Sequence, residues 1–263
     1  MASKFISGIF NYCDAWCDRC AFTRRCRNFA MREEIHMSER VKARSDEDNA
    51  SFWNSIDGVF ASARTQLDSL EAGRFADEFA MDWDEPDEDE MRAFHQREEA
   101  ASRAAHAHPL MVAAGKYRDG VAQWLESAKP DIAASVGDII AQAKHEFEVT
   151  AGTARREFEA LEEMMDVITW YHTLLQSKTY RFVRDILEDG PASGLDGEDT
   201  LGTAKLLLVS LDRSISAWMQ IREYLPSQED RILGFLVALD KLRRGIEKAA
   251  PAARAYLRPG LDG

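Results

Sequence analysis

The sequence predicts an all-α fold, a multi-helix bundle carrying an N-terminal four-cysteine metal-binding loop. Three observations point there. Apolar residues recur at three- and four-residue steps along most of the chain, no alternating pattern of useful strand length occurs, and glycine and proline signals fall where the apolar stripes stop. At 263 residues the chain is long enough to bury a substantial core. A single helical domain over 1–263 is expected, with a cysteine loop at 12–30, an acidic connecting segment at 74–90 and a loop at 190–200 before the last two helices.

The elements follow in order. From Cys26 to about Arg44 good helix formers run without glycine or proline, although the stripe of Phe29, Met31, Ile35 and Val41 is weak. Trp53, Ile56, Phe60, Ala63, Leu67 and Leu70 then form one face of an amphipathic helix that Gly73 ends. A polar helix is expected over 87–105, stopped by His108-Pro109, with 106–108 in a loop. Leu110, Ala114, Tyr117, Val121 and Trp124 mark the next helix, interrupted near Lys129-Pro130, and Ile132, Val136, Ile139, Ala143 and Phe147 mark another. Gly152 is read as a kink or break. The longest pattern, Phe158, Leu161, Met165, Ile168, His172, Leu175, Thr179, Phe182 and Ile186, is a heptad-like seam suited to a central helix. After the glycine-rich loop come helices bearing Leu208, Leu211, Ile215 and Trp218, then Ile232, Phe235, Leu239, Leu242 and Ile246. Ser227 and Asp230 suggest a capping box on the last helix, and Pro251 and Pro259 suggest a loose tail.

Charge narrows the function. A net charge of −13 argues against a general nucleic-acid binder, whose phosphate contacts need a basic surface, so no nucleic-acid partner is expected. The charge is uneven: residues 19–44 are rich in arginine, whereas 77–90 carry acids and no base, so the acidic segment either is a solvated linker or lies on the basic one. No stretch approaches the ~20 apolar residues of a membrane span. The run Phe5–Phe10 is too short for a signal peptide, so cytoplasmic residence is expected, where thiols stay reduced. No glycine-rich phosphate loop and no nucleophile elbow occurs.

The strongest chemical signal is Cys13, Cys17, Cys20 and Cys26, all the cysteines of the chain, spaced C-x3-C-x2-C-x5-C. Disulfides within so short a segment would staple nothing to the rest of the fold, so four thiolates on one metal centre are the more natural reading. Zinc sites usually join two C-x2-C knuckles, and only Cys17–Cys20 forms one here. A compact run suits a [4Fe–4S] cube, whose volume lets one loop reach four corners. Zinc remains the alternative. Tyr12, Trp16, Phe22 and Phe29 would shield such a cluster, and Arg19, Arg24, Arg25 and Arg27 would offset its negative charge. Trp16, Arg19, Phe22 and Arg24 are the principal residues of that shell.

The spacing Cys17-x2-Cys20-x5-Cys26 is similar to the last part of the cluster loop of helix–hairpin–helix DNA glycosylases, over about ten residues. The resemblance implies a [4Fe–4S] cluster and not glycosylase activity, since the first gap differs and no hairpin glycine motif accompanies it. Cys13-x3-Cys17-x2-Cys20 resembles the radical S-adenosylmethionine signature. Arg19 stands where that family places an aromatic residue, a fourth cysteine would close the open iron, and no α/β barrel is predicted, so that activity is excluded.

A second site is conceivable. Glu33 and His36 have the i, i+3 spacing that resembles half of a ferritin-like di-metal site, and His172 sits on the central seam with Asp166 upstream. Asp166 and His172 point about 120° apart on a helix, so another helix would have to supply partners. A hydrogen-bonded core histidine is the plainer reading of His172. The expected function is that of an iron–sulfur protein with a redox or electron-transfer role and a redox or protein partner. A non-catalytic helical scaffold with a structural four-cysteine zinc site is the alternative, and a di-metal carboxylate oxidase-like bundle the second.

Overall fold

A computed structural model describes residues 4–33, 87–145, 149–188 and 197–262; the side chains of 142–145 and 149–151 fall outside that description. The described residues are helical or irregular and include no strand, as the periodicity predicts. They divide into two compact units, Met1–Phe5 with Cys20–His95, and Ile6–Arg19 with Gln96–Gly263. Most of the helix expected after Cys26, the Trp53–Leu70 stripe and the acidic segment before Asp87 lie outside the described residues.

In the first unit a 3-10 turn, Thr23–Arg25, precedes a helical stretch at 27–33. Cys26 begins that stretch from an extended backbone. Its carbonyl accepts from Ala30 N–H, and its sulfur accepts from Phe29 N–H at 3.5 Å. Cys26 thus caps the helix as a serine would.

The helices are α1 Glu88–Ala107, α2 Pro109–Ser127, α3 Lys129–His145, α4 Val149–Glu188, α5 Glu198–Tyr224 and α6 Glu229–Ala249. The division between units falls within α1, after His95. In the second unit α4 packs against α5, α2 and α3, and α6 packs against α5 and α2, so α2, α4, α5 and α6 close around one core. Trp124 and Trp218, both fully buried, meet edge to face at 4.8 Å, with Phe235 4.8 Å from Trp218. Each indole N–H is satisfied: Trp218 donates to Tyr117 Oη at 2.9 Å and Trp124 to Gln228 Oε1 at 3.1 Å. Ile168, Leu175, Leu207, Leu211, Ile232 and Leu239 fill the rest.

Local chemistry explains the boundaries. His108 ends α1 and caps α2: its Nδ1 accepts from Leu110 N–H at 3.3 Å, and Pro109 occupies the first helical position, where its missing N–H costs nothing. Ala128 closes α2, its N–H reaching Trp124 O at 2.8 Å, before Pro130 opens α3.

Five details depart from the sequence expectation. His106 and Ala107 are helical, leaving only His108 between α1 and α2. Gly152 breaks nothing; it lies in the first turns of α4, where a missing side chain touches no neighbour. The seam of α4 is rotated by one residue in its middle: Met164 and Tyr171 are buried where Met165 and His172 were expected, because the Tyr171 hydroxyl has polar partners waiting at the rim. No capping box forms at Ser227 and Asp230. The N-cap of α6 is Gln228, whose side chain is taken by Trp124 and Asp131 instead. The tail is packed, not loose: Pro251–Arg254 form a 3-10 turn with Ala253 buried, and Lys205 Nζ donates to Arg254 O at 2.6 Å.

Candidate functional site

Residues Ile6–Arg19 of the second unit form a strap along α4, α5 and the C-terminal turn. Their backbone has little regular structure beyond the 3-10 turn Cys17–Arg19, so side chains must hold them. Ile9 and Tyr12 are the buried anchors. Tyr12 lies edge to face with Tyr256, 5.9 Å between rings, and directly over Gly202 of α5. A Cβ at Gly202 would come within 2.5 Å of the Tyr12 ring, so this close approach requires glycine there. Burial and the nearby Asp199 carboxylate push the Tyr12 phenol up to about 12.

The next residues meet a polar aromatic site. The Asp14 carboxylate accepts from the Tyr171 hydroxyl at 2.6 Å and from Arg213 Nη1 at 2.9 Å, while Trp170 Nε1 donates to Asp14 O at 3.0 Å. Asp14 Oδ1 also accepts from Trp16 N–H at 3.2 Å, a local turn, and Ala15 between them takes φ +56°. That left-handed conformation costs a non-glycine residue free energy, which the surrounding contacts offset. Trp16 stacks on Trp170, 5.2 Å and 12° between planes, and meets Tyr171 edge to face. Arg19 lies over the Trp16 ring at 4.3 Å and pairs with Asp166 at 2.7 Å and Glu163 at 3.3 Å. Trp16 is therefore held by both an indole and a guanidinium. Burial, reinforced by the bond to Asp14, pushes the Tyr171 phenol up to about 12. Burial disfavours the charge on Arg213, but Tyr171 and Asp14 outweigh it and hold the guanidinium more firmly protonated than usual.

The predicted metal ligands are distributed over the two units: Cys13 and Cys17 in the second, Cys20 and Cys26 in the first. All four are half-buried and outside any disulfide. The Cys13 thiol donates to Phe10 O at 3.5 Å, and Cys20 Sγ accepts from Phe22 N–H at 3.4 Å. Among the described residues no group of three or more His, Cys, Asp or Glu is placed to hold a metal ion.

Of the expected shell, Trp16 and Arg19 are engaged with α4. Phe22 is half-buried in the first unit and Arg24 is exposed there. Glu33 is exposed, and His36 lies outside the described residues. Asp166 pairs with Arg19, and His172 Nδ1 lies 2.8 Å from Thr169 O, one turn back on its own helix. A separate open groove of about 370 Å3 on α5 and α6 includes Ile215, Met219, Arg222 and Arg243.

No family model, curated protein or solved structure matches this chain. Sequence reasoning missed Asp14, Trp170, Tyr171 and Arg213 as a set. The one local signal was Asp14-Ala15-Trp16, an Asx-turn pattern that the flanking cysteines overshadowed. Among the described residues no helix is long and apolar enough to cross a membrane.

Proposed function

We propose that this chain is a non-catalytic helical scaffold whose N-terminal strap is a structural element, and that a zinc ion on Cys13, Cys17, Cys20 and Cys26 adds to its fastening. The observation that carries the reading is the use made of Trp16 and Arg19. Both were expected around the sulfurs of a cluster, and both are spent on α4, where Asp14, Trp16 and Arg19 form a continuous run of contacts. His172 and Asp166 are likewise occupied by structural partners. The zinc part of the reading rests on the presence of four clustered thiolates, whose compact spacing by itself suits a [4Fe–4S] cube better.

The redox reading, with a [4Fe–4S] cluster on the same cysteines, draws on a different observation. Cys20 and Cys26 both accept backbone N–H bonds at sulfur, the kind of contact that tunes cluster potentials. Anaerobic purification with metal and sulfide analysis separates the two. Colourless protein with one zinc per chain is expected for the scaffold. Brown protein containing iron and sulfide, with a reversible redox couple, would overturn it in favour of the cluster.

A further inference from the structure

The α4–α5 face that receives residues 14–19 has the make-up of a peptide-recognition site. We propose that it binds short protein segments of the pattern Asp-x-Trp-x-x-Arg, and that the chain's own residues 14–19 occupy it as a built-in competitor. This assignment does not depend on a metal and goes beyond the scaffold reading.

Each feature of the pattern has its own receptor. The aspartate meets a neutral hydroxyl and a guanidinium, Tyr171 and Arg213, at 2.6 and 2.9 Å. Its main-chain carbonyl is read by Trp170 Nε1 at 3.0 Å, which fixes the direction of the segment. The indole lies on Trp170 at 5.2 Å, and the arginine two carboxylates along, Asp166 and Glu163. Charge alternates across the face, positive for the aspartate and negative for the arginine, so a segment bound in reverse would meet like charge at both ends. An aromatic anchor within a charged rim is the usual composition of a recognition hot spot.

The bound segment is also built to leave. Its backbone makes no ladder with the helices, and its ion pairs stay near solvent, with the Arg213 side chain 55% exposed and that of Glu163 70%, although the Tyr171 ring that meets Asp14 is buried. The receptor side chains stand on helices that have their own dry core, centred on Trp124 and Trp218. Tyr12 and Ile9 hold the strap upstream, so release of residues 14–19 does not require the whole strap to detach. Tethered two residues from Tyr12, the internal segment has an effective concentration of at least the millimolar order, so only an abundant or tighter-binding segment displaces it.

The test uses the full-length chain carrying Asp14→Ala and Trp16→Ala, and a synthetic peptide of residues 10–22 with serine at the cysteine positions. Calorimetric titration is expected to show binding to this opened chain with Kd of about 100 μM or tighter, and at least ~10-fold weaker binding to the unmutated chain. Adding Arg213→Ala, or replacing the peptide tryptophan by alanine, should abolish the binding. An opened chain that melts cooperatively yet ignores 1 mM peptide, or binds equally well without Arg213, overturns the proposal. If the opened chain does not fold, the unmutated chain decides. About 1 mM peptide should speed amide exchange at residues 16, 17 and 19, and unchanged exchange there rejects the assignment.

Discussion

Two tryptophan pairs organise the second unit, and they differ in almost every physical respect. Trp124 and Trp218 are fully buried, meet edge to face at 4.8 Å and satisfy their N–H groups on neutral acceptors. Trp16 and Trp170 lie face to face at 5.2 Å, half-buried, with a guanidinium on one side and a carboxylate-bound tyrosine beside them. The first pair ties α2, α5 and α6 together through apolar burial, a contribution insensitive to salt or modest pH change. The second fastens an irregular segment through charge-assisted contacts, each screened by solvent and each modest. One pair makes the bundle, and the other decides whether the strap stays on it.

Substitutions that separate these roles follow in order of size. Trp218→Ala should cost about 4 kcal/mol, since it removes a buried indole and leaves Tyr117 and Trp124 around a cavity. Denaturant unfolding followed by circular dichroism measures this, and a loss below ~1 kcal/mol would mean the two pairs are not so different. Gly202→Ala ranks next. Alanine suits helix α5 itself, but its Cβ would stand 2.5 Å from the Tyr12 ring, so the strap must shift. A net loss of about 2 kcal/mol is expected, with the helical signal intact.

Alkaline titration sharpens the contrast. The Tyr171 phenol is raised from 10.0 to about 12 in the fold. Its contribution to stability is therefore complete below pH 10 and is lost as pH rises to about 12, because the unfolded chain ionises first. Tyr171→Phe should flatten that part of the melting-temperature profile while lowering stability at neutral pH. Tyr117, also raised by burial, belongs to the core and should keep its own share of the alkaline loss in that variant.

The smallest effect concerns the tail. Hydrogen bonds from Arg258 hold the Asp262 carboxyl down at about 2, from an ordinary 3.8. The pair stabilises the tail above pH 3.8, and that contribution is lost as pH falls to about 2. Asp262→Asn should remove this acid dependence and leave neutral-pH helicity unchanged. A variant with the same acid slope as the unmutated chain would show that the pair does not hold the tail.

The bundle was legible in the sequence because apolar period and helix identity are the same fact: Leu161, Ile168, Leu175 and Phe182 predicted α4 and are buried in it. Where side chains answered to distant partners, the sequence was silent. Gln228 looks like an ordinary polar residue beside Ser227, and only the fold reveals its bonds to Trp124 and Asp131. Tyr171 displaced His172 from the seam for the same reason, since its acceptor Asp14 lies more than 150 residues upstream. The cysteines drew attention to the right stretch of chain, while the contacts seen there belong to the residues between them.

The separability of the strap is tested most directly by hydrogen exchange on the unmutated chain and on Trp16→Ala. In the unmutated chain the amides of Trp16, Cys17 and Arg19, bonded to Asp14 Oδ1, Ala15 O and Trp16 O, should be protected. The Trp16→Ala variant should lose protection at residues 16, 17 and 19 while α4 and α5 keep theirs, at a stability cost of about 2 kcal/mol. Full-rate exchange of these amides in the unmutated chain, or loss of protection throughout α4 and α5 in the variant, would contradict the account.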